Sequence, residues 1–491
     1  MELTQQAVEE SLDPEDWDAM RELGHRMLDD MLEYLQTVRE RPVWQPIPAA
    51  VKAHLKQPVP VEPQAPEQAY RDFVENVLYH PMGNIHPRFW GWVIGTGTPF
   101  GVLAEMLAAT MNPNVGGGDQ ASAYVEAQVL DWCKEMLGYP AEASGLLVSG
   151  GSMANLVGLT VARNTQAGYD IRKAGVSAAP KRLTLYGSEE MHSSIQKAVE
   201  LLGLGSESLR KIPVNDDFEV DIAAVERAIA DDKAAGYQPS CVIGNAGTVN
   251  TGAIDDLNAL ADLCRREQLW FHVDGAFGAL AMLSPELRPR LAGMERADSL
   301  AFDLHKWMYI QYEAGCVLVQ NAEAHRRAFS LTPDYLAHAE RGLAGGSTWY
   351  SEYGLQLSRG FRALKIWLSI KEHGIRKYGR LIQQNIEQAR YLADLVDAAP
   401  DLERLAPVPM NIVCFRFKVD GLAESELNQL NQEILIQLHE RGVAVPSYTT
   451  LKGKYAIRAA ITNHRSRRED FDLLVREVVR LGRELTRRNA S

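Results

Sequence analysis

The sequence predicts an α/β protein whose main domain is built on a mostly parallel sheet. Three observations lead there. Between about residue 90 and residue 330, short apolar runs alternate with amphipathic stretches. Such alternation demands crossover connections, and strands buried on both faces read as unbroken apolar runs. Helical periodicity precedes this region, and a mixture of strand-like and helical segments follows it. A chain of 491 residues also exceeds one ordinary hydrophobic core, so about two or three domains are expected.

The elements follow in order. Asp13-Pro14 reads as a helix N-cap with proline in the first turn. Behind it Met20, Leu23, Met27, Met31, Tyr34 and Val38 recur at helical spacing, a stripe that needs a surface to bury it. Pro42, Pro46, Pro48, Pro58, Pro60, Pro63 and Pro66 then indicate extended connecting chain, either a linker or an arm around a second subunit. Buried strands are expected at Leu146-Leu147-Val148, Leu183-Thr184-Leu185-Tyr186, Cys241-Val242-Ile243-Gly244, Trp270-Phe271-His272-Val273 and Cys316-Val317-Leu318-Val319. Helices such as 154–163 and 257–267 separate most of them. A long amphipathic helix begins near Arg362 and Trp367. Beyond it, strands at Ile412 to Phe417 and Tyr455 to Ala459 mix with helices, ending in a charged helix from about Arg468. The expected division is an N-terminal helical and extended arm over 1–90, a large α/β domain over 91–375 and a small α+β domain over 376–491.

Composition narrows the function. Lys and Arg total 51 against 64 Asp and Glu, a formal charge of −13. That balance argues against nucleic acid or an anionic membrane surface as partner. The five cysteines, Cys133, Cys241, Cys264, Cys316 and Cys414, are odd in number and lack C-x-x-C spacing. Neither a disulfide framework nor a metal site is expected, and a reducing compartment suits them. Glu9, Glu10, Asp13 and Glu15 do not fit a targeting peptide. No apolar run approaches the ~18 residues of a membrane span. A soluble, cytoplasmic protein is expected.

Ligands of open α/β sheets sit beyond the carboxyl ends of the strands, and five such places carry chemistry. The run at Trp270 ends in Asp274-Gly275-Ala276-Phe277-Gly278, a carboxylate followed by small residues that let a flat heterocycle lie close. Taken alone, Asp274 reads rather as the cap of a turn. Asp298 to Trp307 places Lys306 after an apolar stretch and beside aromatic residues, surroundings in which a lysine can form imines with carbonyl compounds. Ser149-Gly150-Gly151-Ser152-Met153-Ala154-Asn155 follows a strand and opens a helix, as a phosphate cradle of backbone N–H groups does. It is neither a Walker loop nor a G-x-G-x-x-G fingerprint. His192 begins another helix and could stack on a ring, and Gly247-Thr248 offers a hydroxyl to a ring substituent. Together they supply a phosphate cradle, an aromatic stacker, a carboxylate for a pyridinium nitrogen and a lysine for an aldehyde. Pyridoxal 5'-phosphate requires that set of its protein.

With these residues in place, the sequence resembles the group II pyridoxal-dependent decarboxylases, which act on aromatic amino acids, histidine and glutamate. The resemblance covers nearly the whole chain. It is most specific in His272-Val273-Asp274-Gly275-Ala276 followed by Asp303-Leu304-His305-Lys306-Trp307. It implies the fold-type-I architecture of pyridoxal-phosphate enzymes. It also implies that Lys306 bonds the cofactor aldehyde, Asp274 pairs with the ring nitrogen, Ala276 lies under the ring and His192 stacks over it. Gly151, Ser152 and Asp303 fall where the phosphate is held, with His305 beside them and Thr248 near the ring. Asp303 stands where animal aromatic decarboxylases carry asparagine, and a carboxylate there would repel the phosphate.

Further segments bear on the reaction. Leu331-Thr332-Pro333-Asp334-Tyr335-Leu336-Ala337-His338 is similar to the family's catalytic loop, which implies that Tyr335 returns a proton to the substrate carbon. Aldehyde-forming relatives commonly carry phenylalanine there. The segment around Ser358 and Arg359 resembles one near the substrate ring, with serine as in several tyrosine- and histidine-specific members. Asn112 to Gly118 replaces a segment that is aromatic-rich in the animal enzymes. The expected activity is decarboxylation of an L-amino acid, aromatic by preference (tyrosine, DOPA, phenylalanine or tryptophan), to the amine and CO2. Oxidative conversion to an aldehyde and decarboxylation of histidine or glutamate are the alternatives, and a cofactor-binding protein without turnover is a more distant one. A homodimer with the active site at the subunit interface is expected from the resemblance and from the apolar N-terminal stripe.

Overall fold

All five apolar runs are strands in the computed structural model, which describes residues 10–331, 339–346 and 348–489. In chain order the strands are β1 (Phe89–Trp90), β2 (Ser144–Val148), β3 (Leu183–Ser188), β4 (Leu209–Ile212), β5 (Gln238–Asn245) and β6 (Trp270–Asp274). They continue as β7 (Ser299–Asp303), β8 (Gly315–Val319), β9 (Leu402–Arg404), β10 (Ile412–Phe417), β11 (Val445–Leu451) and β12 (Lys454–Ala460). A seven-stranded sheet has the order β2-β8-β7-β6-β5-β3-β4. Its pairs from β7 to β4 are parallel, whereas β8 runs antiparallel to both neighbours. Because β2 and β7 both oppose β8, β2 points the same way as the parallel strands.

The second sheet has five strands in the order β1-β11-β12-β10-β9. Its first member, β1, comes from the N-terminal part of the chain and pairs parallel with β11. Two cores result. One surrounds the large sheet; the other gathers Trp90, Val413, Phe415, Ile434, Leu438, Phe471 and Leu474 about the small one. The helical segment Arg362–Ala398, broken at Gly374 where φ is 67°, serves both. Ile382 and Ile386 pack in the first core, Ala389 and Leu392 in the second.

Two readings of the N-terminal region are corrected. The first helix is Trp17–Gln36, and its N-cap is Asp16, whose carboxylate accepts the amides of Asp18 and Ala19, each at 2.9 Å; Asp13 lies before it. The proline-rich passage is not wholly extended, because short helices form at Ala49–His54 and Pro66–Phe73. Pro48 is the N-cap of one and Pro66 opens the other, positions where a missing N–H costs nothing. The predicted stripe is only partly covered: Leu23 and Val38 are buried, Met20, Met31 and Tyr34 half-buried, and Met27 exposed. Among the described residues no helix is long and apolar enough to cross a membrane.

The helix Gly151–Gln166 crosses the large sheet at Gly158. A Cβ there would lie 2.8 Å from the His272 ring and 3.2 Å from Ser299 Oγ, so glycine is what lets the helix lie directly on β6 and β7. One turn earlier this close approach brings Asn155 against the sheet.

Candidate active site at the carboxyl edge of the large sheet

Strands β2, β3, β5, β6 and β7 all end at one edge of the sheet, and β8 starts there. Chain order therefore becomes proximity. The glycine turn after β2, His192 after β3, Thr248 after β5, Asp274 on β6 and Asp303 to Lys306 after β7 meet at that edge. A cavity of about 400 Å³ opens among them, lined by Gly150, Gly151, Ser152, His192, Ala276, Asp303, His305 and Lys306, with Tyr312 and Glu313 at its side.

Asp274 is held from two directions. Its Oδ1 accepts the Ala276 amide at 3.1 Å and its Oδ2 accepts Asn155 Nδ2 at 3.0 Å. Asn155 is a hub, 1% exposed. Its amide nitrogen also donates to Ser194 Oγ at 3.1 Å, and its oxygen faces His272 Nε2 at 2.9 Å. A carboxylate only accepts, so the Asn155 nitrogen must face Asp274, and His272 must carry its proton on Nε2. The rest of the chain then has one consistent direction. Trp270 Nε1 donates to Ser299 Oγ at 2.8 Å, and the Ser299 hydroxyl donates to His272 Nδ1, also at 2.8 Å. On the other side the Ser194 hydroxyl donates to His192 Nδ1 at 2.8 Å, beside the Ser194 amide at 3.2 Å. His192 therefore keeps its proton on Nε2. Both histidines are neutral: burial pushes His272 down to about 4 and lowers His192 against the opposing pull of Asp274.

The other end of the cavity is built of glycine and charge. Helix Gly151–Gln166 begins without a side-chain cap, leaving amides of its first turn for an anion. A Cβ on Gly151 would fall 2.9 Å from Asp303 Oδ2, and one on Gly315 would fall 2.8 Å from Asp303 Oδ1. Asp303 Oδ2 pairs with Lys306 Nζ at 3.2 Å, and His305 Nε2 lies 3.6 Å away. His305 accepts the Ala314 amide on Nδ1 at 3.1 Å and packs on Tyr312 with ring centres 4.2 Å apart. Burial and the Lys306 charge push His305 down to about 3, so it is a neutral ring with Nε2–H turned toward the cradle.

The structure thus brings together Lys306, Asp274, His192, Gly151, Ser152, Ala276, Asp303 and His305. Thr248 lies at the same edge, but its hydroxyl accepts the Ala253 amide at 3.1 Å and faces Thr251 Oγ1 at 3.2 Å; it does not line the cavity. Tyr335 lies outside the described residues. Sequence reasoning missed Asn155, Ser194, His272 and Ser299. It also missed Arg458 of β12, which donates to the carbonyls of Asn250 (3.0 Å) and Val249 and so ties the Thr248 turn to the small sheet. The buried pair Glu126–Arg359 was likewise unforeseen. Arg359 donates to the carbonyls of Val115 (2.8 Å) and Leu147 (2.7 Å), and its amide to Asn114 Oδ1 at 2.9 Å. It thereby fastens the segments around Asn114 and Arg359 to β2.

Such a cavity suits pyridoxal 5'-phosphate. It holds an uncapped helix start and glycines for the phosphate, a neutral imidazole and a methyl group for the ring, and a lysine for the aldehyde, with the hydrogen-bonded Asp274 carboxylate at the same sheet edge for the ring nitrogen. Comparisons with known proteins agree. The conserved domain of pyridoxal-dependent decarboxylases matches residues 48–418. An aromatic-L-amino-acid decarboxylase of Bacillus atrophaeus is 34% identical, the match covering 95% of this chain and 96% of that protein. A phenylacetaldehyde synthase of Petunia hybrida is 29% identical over 92% of this chain and 91% of its own length. The crystal structure of Oryza sativa TDC with PLP and tryptamine superposes with a TM-score of 0.89 at 24% identity, covering 97% of this chain and all of that one.

Proposed function

The chain belongs to the pyridoxal-dependent decarboxylase family, and we propose from that premise that its substrate is an aromatic L-amino acid, released as the amine and CO2. It is a pyridoxal-phosphate-dependent amino-acid decarboxylase. The aromatic preference is carried by one observation, the 34% identity to an aromatic-L-amino-acid decarboxylase sustained over 95% of the chain.

When bound, the cofactor supplies an electron-withdrawing ring that takes up the electron pair left by the departing carboxyl group. The protein's own side chains do the rest. Lys306 Nζ, in the cavity wall, would hold the cofactor through its aldehyde. Asp274, fixed by Asn155 and the Ala276 amide, holds a proton on the ring nitrogen. Neutral His192 would cover one face of the ring without adding positive charge, and Ala276 would lie against the other. Gly151, Ser152 and His305 Nε2–H hold the phosphate. Orientation decides which bond at the substrate carbon breaks, and the clamp by Arg359 fixes the walls that orient it. Tyr335 returns the proton to that carbon.

The likeness to a phenylacetaldehyde synthase favours a second outcome, in which oxygen is consumed and an aldehyde, ammonia and CO2 are the products. A panel of amino acids assayed together for CO2, amine, ammonia and aldehyde tests both. Stoichiometric amine and CO2 from tyrosine, DOPA, phenylalanine or tryptophan supports the proposal. Preference for histidine or glutamate would refute the aromatic reading.

The working unit in this proposal is a homodimer. Leu12, Trp17, Met27, Phe73 and Val77 are exposed along the N-terminal segment, more apolar surface than a monomer usually leaves open. Sedimentation showing an active monomer would refute it. A cytoplasmic setting fits the cysteines, all five of them buried free thiols.

A further inference from the structure

Asp303 poses a charge problem that the site must solve. It ends β7, is 1% exposed and turns toward the glycines of the phosphate cradle. Its Oδ1 has no hydrogen-bond partner although it is buried, and Gly151 and Gly315 leave room for its oxygens with nothing to spare. Lys306 Nζ, 3.2 Å from Oδ2, is its counter-ion. Of the other groups facing it, the Gly151 amide donates a hydrogen bond to the carboxylate, but none carries a counter-charge. His305 and His192 are neutral, Asp274 adds negative charge, and Tyr312 and Cys316 stand nearby uncharged.

Cofactor binding takes the counter-ion away and brings a second anion in. The Lys306 nitrogen forms a C=N bond to the aldehyde and one water leaves, so its charge is no longer dedicated to Asp303. A phosphate then shares the cradle with a buried carboxylate. Two anions in contact cannot both stay fully charged out of water. A carboxylic acid, by contrast, is a hydrogen-bond donor that a phosphate oxygen can accept, and buried sites can hold a carboxyl neutral at ordinary pH for that use.

Resting on the assignment of the phosphate to this cradle, we propose that Asp303 takes up a proton from solvent as pyridoxal phosphate binds and holds the phosphate as a neutral, hydrogen-bond-donating acid. Burial already raises its proton affinity in the free protein, against the downward pull of Lys306. Asparagine at this position would donate the same hydrogen bond without needing the proton.

The test compares the cofactor-free wild-type protein with Asp303→Asn and Asp303→Ser. Pyridoxal phosphate is titrated calorimetrically into each, in buffers of differing ionisation enthalpy, from neutral to mildly alkaline pH. Bond formation at Lys306 is common to all three, and the pH dependence of the imine absorption in each gives the proton balance at Lys306 that is subtracted. Wild type should take up about one proton more than either variant. Its affinity relative to Asp303→Asn should fall by up to about tenfold per pH unit where the free protein has Asp303 ionised. Tight binding with equal proton counts and a pH-independent affinity ratio would overturn the inference alone. A wild-type protein that binds no pyridoxal phosphate would overturn the cofactor assignment and this inference with it.

Discussion

Truncating Asn155 to alanine should weaken cofactor binding out of proportion to its effect on folding. Three partners lose Asn155 at once: Asp274 Oδ2, Ser194 Oγ and His272 Nε2. The bond to Asp274 involves a charged acceptor and contributes about 1.5–3 kcal/mol. Asp274 must be ionised and correctly aimed to hold the ring-nitrogen proton. If that contribution is expressed in the bound state, the pyridoxal-phosphate dissociation constant rises roughly ten- to a hundredfold. The two neutral contacts bear on the fold. Leaving His272 Nε2–H and the Ser194 hydroxyl short of a partner costs about 1–3 kcal/mol each. Asn431→Ala is the control. Asn431 is equally buried and bonds both the amide and the carbonyl of Phe417, at 2.7 and 2.8 Å, in the small sheet. It should lose comparable stability with cofactor affinity unchanged. The assay is absorption titration of the cofactor-free proteins, with denaturant unfolding alongside. If Asn155→Ala and Asn431→Ala bind the cofactor equally well, Asn155 is only a packing residue and the hub argument is wrong.

Other outcomes follow from the same site. Lys306→Ala should lose both the imine absorption and CO2 release while keeping a cooperative unfolding transition; turnover near the normal rate would contradict the assignment. Tyr335→Phe should still release CO2 but lose amine by about a hundredfold or more, with aldehyde, ammonia and peroxide appearing under oxygen; an unchanged amine yield would mean that another group donates the proton. Acid should destabilise the fold between about pH 6.5 and pH 4. Burial depresses His86, His272 and His325 to about 4, below the unfolded value of about 6.5. With His464, also lowered to about 4, and His305, lowered to about 3, the unfolded chain binds up to five more protons across that window, each worth about 1.4 kcal/mol per pH unit. Asp255, raised to about 6 by burial, opposes this with one proton in the folded state, so the net slope is a loss as pH falls. His325→Gln should flatten it by about one proton, and stability flat from pH 6.5 to about 4 would contradict the titration scheme.

How much of the fold was legible depended on which faces each element buries. Strands covered on both faces, such as β5 and β6, could only be apolar and announced themselves as such. The edge strand β4 did not, because Arg210 and Lys211 sit between its buried ends Leu209 and Ile212. Strand β7 begins at Ser299 and ends at Asp303, so its polar ends disguised a fully buried element. The helix start was misplaced because Asp13 and Asp16 are both competent caps, and apolar periodicity does not choose between candidates three residues apart. Composition misled in the proline-rich arm, since a proline at a helix start looks no different in a sequence from one in extended chain.

The site divided along another line. Residues at strand ends were readable, because a parallel sheet turns the ends of successive strands into neighbours and the chemistry at each end could be matched to one cofactor. The supporting residues were not, for they lie inside elements. Nothing about Asn155 within a helix declares that it will meet partners 117 and 119 residues away, and nothing about Ser299 at the head of a strand declares partners 27 and 29 residues away. A signal was nonetheless present. His272 interrupts Trp270-Phe271-His272-Val273-Asp274, a strand buried at every position, and a polar ring in such a place must find both a donor and an acceptor or go unpaired. Its needs are met by Ser299 on the adjoining strand and by Asn155 on the helix that Gly158 allows to lie so close. The same Asn155 amide then reaches Asp274. A histidine made neutral by burial, an asparagine that Gly158 lets lie against the sheet and the Asp274 carboxylate are thus consecutive links of one hydrogen-bonded chain.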